Sequence, residues 1–160
     1  MSRDVVNSLK GQYDRVAGFL EKFIEVSPDK IWGGTSGKFP VWQHVYHAFE
    51  CVGFFLASKD AAPNKESLYP LEVNLFKIIP DAPAEKAKIA KIAKEYNAFA
   101  AEFFASLTDA DLAKPHEGLS SRINAPFNNA GVITLLIGHM YYHFGHCDAA
   151  LRDNGLEGLF

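Results

Sequence analysis

The chain of 160 residues has a formal net charge of -3, with 48% hydrophobic and 22% charged residues. These values are typical of a soluble globular protein, and the length fits a single domain over residues 1–160 with one sizeable core. A slightly acidic chain has no net attraction to phosphate backbones or anionic lipids, so neither nucleic acid nor membrane is expected as a partner.

Neither a targeting segment nor a run long enough to span a bilayer is recognised, so the cytoplasm is the expected location. The two cysteines, Cys51 and Cys147, form no C-x-x-C pair. A disulfide framework or a zinc site built from thiolates is therefore not indicated.

Apolar side chains at three- and four-residue steps predict four helices. In chain order these cover residues 2–26, 40 to about 57, 84–107, and 128 or 129 to about 152. Ser36-Gly37-Lys38 marks a turn between the first two, and Trp32 beside it is expected to plug one end of the structure. With no strand predicted, the fold class is an all-α four-helix bundle.

The connections between the later helices are long. Antiparallel neighbours are normally joined by short loops, so residues 59–83 predict either a crossover that leaves the second and third helices parallel or a lid over the bundle mouth. Residues 108–111 indicate a capped helical turn, and residues 115–127 are predicted to be a loop that exposes His116.

Histidines on two of the predicted helices indicate a metal site. His139 and His143 are four residues apart and share the inward face of the last helix, while His44 and His47 share a face of the second. An imidazole buried without a partner is costly, so this clustering favours ligands over core packing. His47, His139 and His143 would supply three neutral nitrogens and leave positions open for water or substrate.

Two familiar metal chemistries are not supported. The Glu-x-x-His pairs of di-iron bundles are absent, and Met140 follows His139 where His-Glu-x-x-His proteases carry their glutamate base. The remaining alternatives are a different metal enzyme, or a bundle whose core histidines bind no metal.

The order and spacing of several short motifs resemble the DinB-like superfamily, which includes the YfiT-type proteins. These motifs are Trp42-Gln43-His44-Val45-Tyr46-His47, the segment Leu107 to Leu112, and His139-x-x-x-His143-x-Gly145 ahead of Leu151-Arg152. The resemblance covers nearly the whole chain. It implies an up-down-down-up bundle, often a homodimer, that holds a divalent metal, usually zinc or nickel.

By motif position, the resemblance implies His47 as the ligand from the second helix, with His44 as its substitute, and His139 and His143 as the pair from the last helix. Three histidines also suit iron. Members with an assigned activity are mostly transferases or isomerases that use a low-molecular-weight thiol such as bacillithiol, mycothiol or glutathione. The implied partners are therefore a small electrophile and a thiol, which the metal would acidify.

The alternative function is a non-catalytic metal- or ligand-binding bundle of the stress-response kind. Phe144 and His146 flank Gly145, where a polar residue and glutamine are frequent in the family, so the resemblance does not define the reaction. No catalytic residue is assigned. His146 is considered either as a fourth ligand or as a base beside the site.

Helical position also predicts the surroundings of the ligands. Glu50 and Asp148 are the nearest candidates to accept hydrogen bonds from the non-ligating histidine nitrogens, and Tyr142 is expected beside them. Cys51 and Cys147 each lie four residues beyond a candidate ligand, and both are expected to diverge from the metal as buried, inert thiols.

Overall fold

The computed structural model describes residues 1–61 and 67–160, which are mainly helical. In chain order the helices are α1 (Asp4–Val26), α2 (Asp29–Trp32), α3 (Val41–Leu56), α4 (Leu71–Asn74), α5 (Lys86–Ala105), α6 (Glu117–Ile123) and α7 (Asn129–Asp153). The four long helices α1, α3, α5 and α7 form the bundle, and the three short ones lie in the connections. Among the described residues, no helix is both long and apolar enough to span a bilayer.

Contacts along the helices define their directions. Arg3, just before α1, donates to the carbonyl of Ala105 at the end of α5 over 2.8 Å, so these helices are antiparallel. Phe19 in the second half of α1 stacks on Phe144 in the second half of α7, so these two are parallel. His44 lies against His143, while His47, later on α3, lies against His139, earlier on α7, so this pair is antiparallel. The topology is therefore up-down-down-up, as the family resemblance implies.

Helix α3 is the most enclosed element of the bundle. Every residue of α3 except Phe54 is buried, because α5 and α7 pack against it along its length and the connections cover its remaining side. Its sequence nevertheless carries four polar side chains into the interior: Gln43, His44, His47 and Glu50. Such groups require hydrogen-bond partners, and these partners organise the site described below.

The long connection between α3 and α5 is a crossover, as predicted, since these two helices are parallel. Residues 62–66 lie outside the described residues, so the part of the prediction that falls on them is not described. The rest of the connection contains α4, which contacts α3 and brings Asn74 against it. Gln43 holds this segment by donating to the carbonyls of Val73, over 2.6 Å, and Ile78, over 3.1 Å.

Two short elements differ from the sequence-based prediction. A two-stranded hairpin, β1 (Thr35–Ser36) with β2 (Phe39–Pro40), precedes α3, and its turn contains Gly37 at a φ of +64°. The predicted turn is thus confirmed, whereas the absence of any strand is wrong. Two-residue strands are too short to produce a detectable alternation of apolar and polar residues.

The predicted loop over residues 115–127 is also wrong, because it contains α6. His116 is the N-cap of this helix and is only 7% exposed, rather than lying in an exposed loop as expected. Its Nδ1 accepts a hydrogen bond from the Leu119 amide over 3.1 Å. Arg122 donates to the carbonyls of Phe54 and Ala57 at the end of α3. Helix α6 is only seven residues long and is held by these tertiary contacts, so its sequence is too short to show a helical repeat of apolar residues.

The packing of α7 predicts very different effects for two adjacent leucines. Leu136 is fully buried and Leu135 is 42% exposed. Leu136→Ala should lower the free energy of unfolding by about 2–5 kcal/mol because it leaves a cavity in the bundle. Leu135→Ala should change it by less than about 0.5 kcal/mol. Urea unfolding followed by circular dichroism measures both, and equal losses would contradict the inward orientation of Leu136.

Candidate metal centre

Five of the six histidines meet where the first half of α3 faces the second half of α7. The ring centroids of His47, His139 and His143 lie 4.5 to 5.0 Å from one another. His44 and His146 stack with their centroids 4.1 Å apart, next to this group. The structure therefore brings together all five histidines considered from the sequence as ligands or their substitutes.

The hydrogen bonds of His47 define which of its nitrogens is free to bind a cation. Its Nδ1 lies 2.6 Å from the backbone carbonyl oxygen of Asn74, which can only accept, so Nδ1 carries the proton. The unprotonated Nε2 lies 2.9 Å from Nε2 of His139. A separation of 2.9 Å is that of a hydrogen bond from Nε2–H of His139, and it equally fits two nitrogens that bind one ion at about 2.0–2.1 Å with an angle near 90°.

The same reasoning gives the orientation of His143. Nε2 of His44 lies 3.3 Å from the carbonyl oxygen of Ser36 and acts as the donor, so Nδ1 of His44 is an acceptor. Nδ1 of His143 lies 3.0 Å from that acceptor and carries the proton between them. His143 is left with Nε2 as its unprotonated nitrogen, and both nitrogens of His44 are occupied. The geometry thus favours His47 over His44 as the ligand from α3.

His146 belongs to the edge of the cluster. Its Nδ1 lies 3.0 Å from Oγ of Ser36 in the hairpin, and its ring is only partly buried. Tyr142 is 63% exposed and stands edge-on to the rings of His143 and His146, at centroid distances of 5.0 and 5.1 Å. Both side chains therefore lie at the rim of the cluster, between the buried imidazoles and solvent.

Phe76, in the crossover connection, covers the cluster from another side. Its ring stacks on His143 at a centroid distance of 5.7 Å and lies 4.8 Å from the ring of His47. The backbone of Phe76 has a φ of +55°, a conformation that is rare and strained for a bulky residue. The connection thus holds an aromatic ring against the imidazoles at a conformational cost.

Cys51 was expected to diverge from the metal, and the structure corrects this. Its Sγ lies 3.3 Å from Nε2 of His47. The ligand atoms of His47, Cys51 and His139 all lie within 4.8 Å of one another and form a group that could hold a metal ion. The sequence does not specify how α3 and α7 are rotated about their axes, and this rotation determines whether Cys51 faces His139. Cys147 is buried, as predicted.

The carboxylates predicted to orient the histidines have other partners. Glu50 accepts hydrogen bonds from Ser67, over 2.9 Å, and from Tyr96 of α5. Asp148 accepts from Arg152, over 2.7 Å, and from backbone amides of the C-terminal segment. Asn74 is the acceptor that His47 uses instead. No periodic pattern could indicate Asn74, because it lies on a one-turn helix within the long connection.

Burial keeps the imidazoles of the cluster unprotonated except at low pH. It lowers the pKa of His44 and of His139 to about 4, with a smaller contribution from the neighbouring imidazoles. Burial likewise lowers the pKa of His47 and of His143. The imidazoles are therefore neutral at pH 7, which is the state that binds metals. Burial raises the pKa of the Cys51 thiol to about 12, so this thiol stays protonated in the absence of a cation.

The fold and site define a four-helix bundle with a His/Cys group suited to a divalent metal. The crystal structure of a DinB-like protein from Bacillus cereus ATCC 10987 matches it with a TM-score of 0.70 at 16% sequence identity, over 96% of this chain and 95% of that chain. The chain thus has a DinB-like fold. No protein-family model matches the sequence, and neither does any curated protein.

The lowered histidine pKa values predict a loss of stability on mild acidification. An unfolded histidine titrates near pH 6.5 and binds protons that the folded cluster excludes. The stability of the metal-free protein should therefore be complete above about pH 6.5 and fall as the pH drops towards about 4. Urea unfolding of chelator-treated protein across this range measures the effect. A free energy of unfolding that does not change between these pH values would contradict neutral, buried imidazoles.

Proposed function

We propose that the chain binds a divalent metal through His47, His139 and His143 and acts as a thiol-dependent transferase or isomerase on a small electrophile. The proposal depends on one observation: three imidazoles from two facing helices have centroids within 5.0 Å of one another, with two Nε2 atoms 2.9 Å apart. Zinc or nickel suits this donor set best, and iron is also compatible with it.

The residues around the three histidines support a site that is organised before the metal binds. The hydrogen bond to Asn74 leaves Nε2 of His47 free and directed towards the other rings. The hydrogen bond between the Nδ1 atoms of His143 and His44 likewise leaves Nε2 of His143 free. Hydrogen bonds of this kind to non-ligating nitrogens set the tautomer and orientation of metal ligands. In this proposal Asn74 and His44, rather than Glu50 and Asp148, orient the ligands.

His47, His139 and His143 would hold a divalent metal through neutral nitrogens, and the metal would supply the positive charge that lowers the pKa of a bound thiol towards neutral pH. The contribution of the protein is then to admit and position the reactants. Tyr142 and His146, at the exposed rim, are placed to contact an electrophile or to exchange a proton with solvent. Phe76 and the buried side of α3 keep water from the inner faces of the rings.

The expected partners and location belong to the same proposal. A low-molecular-weight thiol requires a reducing compartment, and the two free cysteines are consistent with the cytoplasm. The homodimer that the family resemblance implies is also part of the proposal, and the exposed Leu135 of α7 is an apolar side chain available to it.

Metal content tests the proposed ligands. Protein purified without chelators should contain close to one equivalent of zinc, nickel or iron by elemental analysis, and His143→Ala should lose most of it. His116→Asn is the matched control, because it changes a buried histidine outside the cluster and keeps a good N-cap for α6. Wild-type protein without metal, or equal metal content in His143→Ala and wild type, would contradict the proposed site.

Thiol binding tests the proposed chemistry. Calorimetric titration of the metal-loaded protein with glutathione, bacillithiol or mycothiol should show saturable binding to at least one of them, and chelation should abolish it. His143→Ala should likewise fail to bind. Metal-loaded protein that binds none of the three thiols would contradict thiol-dependent transfer while leaving the metal site intact.

A second candidate function is a non-catalytic metal-binding bundle, and the position of Cys51 favours it. A thiolate of Cys51 beside His47 and His139 would give the metal a further protein donor, as is common in structural sites. This candidate predicts that chelation lowers the stability of the protein and that no thiol binds to the metal-loaded form.

A further inference from the structure

We infer that Cys51 binds the metal as a thiolate, next to His47 and His139. The inference rests on the metal-binding part of the proposed function and adds a ligand that neither the sequence pattern nor the family resemblance assigned. Sγ of Cys51 lies 3.3 Å from Nε2 of His47, the same nitrogen that faces His139. All three ligand atoms lie within 4.8 Å of one another.

The distances fit a single ion. With a metal–sulfur bond of about 2.3 Å and a metal–nitrogen bond of about 2.0–2.1 Å, two ligands at angles between about 100° and 110° are separated by about 3.3–3.6 Å. The observed sulfur–nitrogen separation of 3.3 Å agrees with this range. In contrast, a sulfur atom that only packs against an aromatic ring prefers about 5 Å from the ring.

The arrangement of the helices explains how these donors converge. His47 and Cys51 are separated by one turn on α3, and His139 and His143 by one turn on α7. Each pair lies on a single helix face, and the two faces meet in an antiparallel contact. Three of these four donors, those of His47, Cys51 and His139, have ligand atoms within 4.8 Å of one another, and His143 is not part of this group.

The second cysteine provides an internal comparison. Cys147 lies four residues beyond His143 on α7 and is completely buried. Among the described residues, its thiol makes no hydrogen bond to a histidine, whereas Cys51 contacts both nitrogens of His47 within 3.8 Å. Cys147 therefore behaves as a small apolar core residue, and its substitution is a matched control for that of Cys51.

Thiolate ligation changes which cations the site selects. When the metal–sulfur bond forms, the sulfur–hydrogen bond breaks and the proton passes to solvent, so the net charge of the ion together with its protein ligands would fall from +2 to +1. A thiolate favours zinc, cobalt, nickel and cadmium over magnesium, calcium and manganese, which prefer oxygen ligands. The lower net charge would also lower the pKa of any further ligand less strongly, and this includes the thiol of the proposed reaction.

Cobalt(II) substitution tests the inference. Metal-free wild-type protein, Cys51→Ser and Cys147→Ser are each titrated with cobalt(II) chloride and followed by absorption in the visible and near-ultraviolet. Wild type and Cys147→Ser should show both d–d bands and an intense thiolate-to-cobalt charge-transfer band. Cys51→Ser should keep the d–d bands and lose the charge-transfer band.

The outcomes separate this inference from the proposed function. Cobalt d–d bands without a charge-transfer band in wild type would overturn Cys51 as a ligand and leave the histidine site standing. Failure of wild type to take up cobalt would overturn both. If Cys51→Ser does not fold, X-ray absorption of the zinc-loaded Cys147→Ser protein decides instead, because Cys51 is then the only cysteine that can supply zinc–thiolate scattering near about 2.3 Å. Its absence would overturn the inference.

Discussion

The burial of α3 is the constraint on which the rest of the structure depends. This helix is enclosed by α5, α7 and the connections, and only Phe54 of its sixteen residues escapes full burial. Polar groups in such an environment are normally paired, since an unpaired one costs about 1–3 kcal/mol, and among the described residues of this helix Oε1 of Gln43 is the buried side-chain atom without a partner. The packing around α3 therefore depends on the hydrogen bonds of Gln43, His44 and His47. Their hydrogen bonds specify where the neighbouring segments lie, and these segments in turn fix the rings.

The partners of these polar groups come mainly from outside the bundle helices. His47 is held by Asn74 of the crossover connection, and His44 by the backbone of Ser36 in the hairpin. In both cases the partner is a carbonyl oxygen, which fixes the tautomer because it cannot donate. The bundle thus supplies the imidazoles, while the irregular segments decide which nitrogen of each ring faces its neighbours.

This division explains how much of the molecule could be predicted from sequence. The four bundle helices repeat apolar residues over many turns, so their existence and approximate bounds followed from periodicity, and the i, i+4 histidine pair on α7 indicated a shared face. Asn74 and Ser36 lie in segments with no period, and α6 is only seven residues long. The approach of Cys51 to His139 depends on how α3 is rotated against α7. Sequence spacing on one helix contains no information about that rotation.

The crossover connection links the orientation of the site to its accessibility. Asn74, which orients His47, and Phe76, which covers His47 and His143, are two residues apart in the same short segment. Gln43 anchors that segment on both sides of them by binding the carbonyls of Val73 and Ile78. Since the backbone of Phe76 is held in a strained left-handed conformation, release of this segment would relieve strain at Phe76 and remove the acceptor from His47 at the same time. The orientation of His47 and the covering of the rings by Phe76 therefore depend on the same anchored segment.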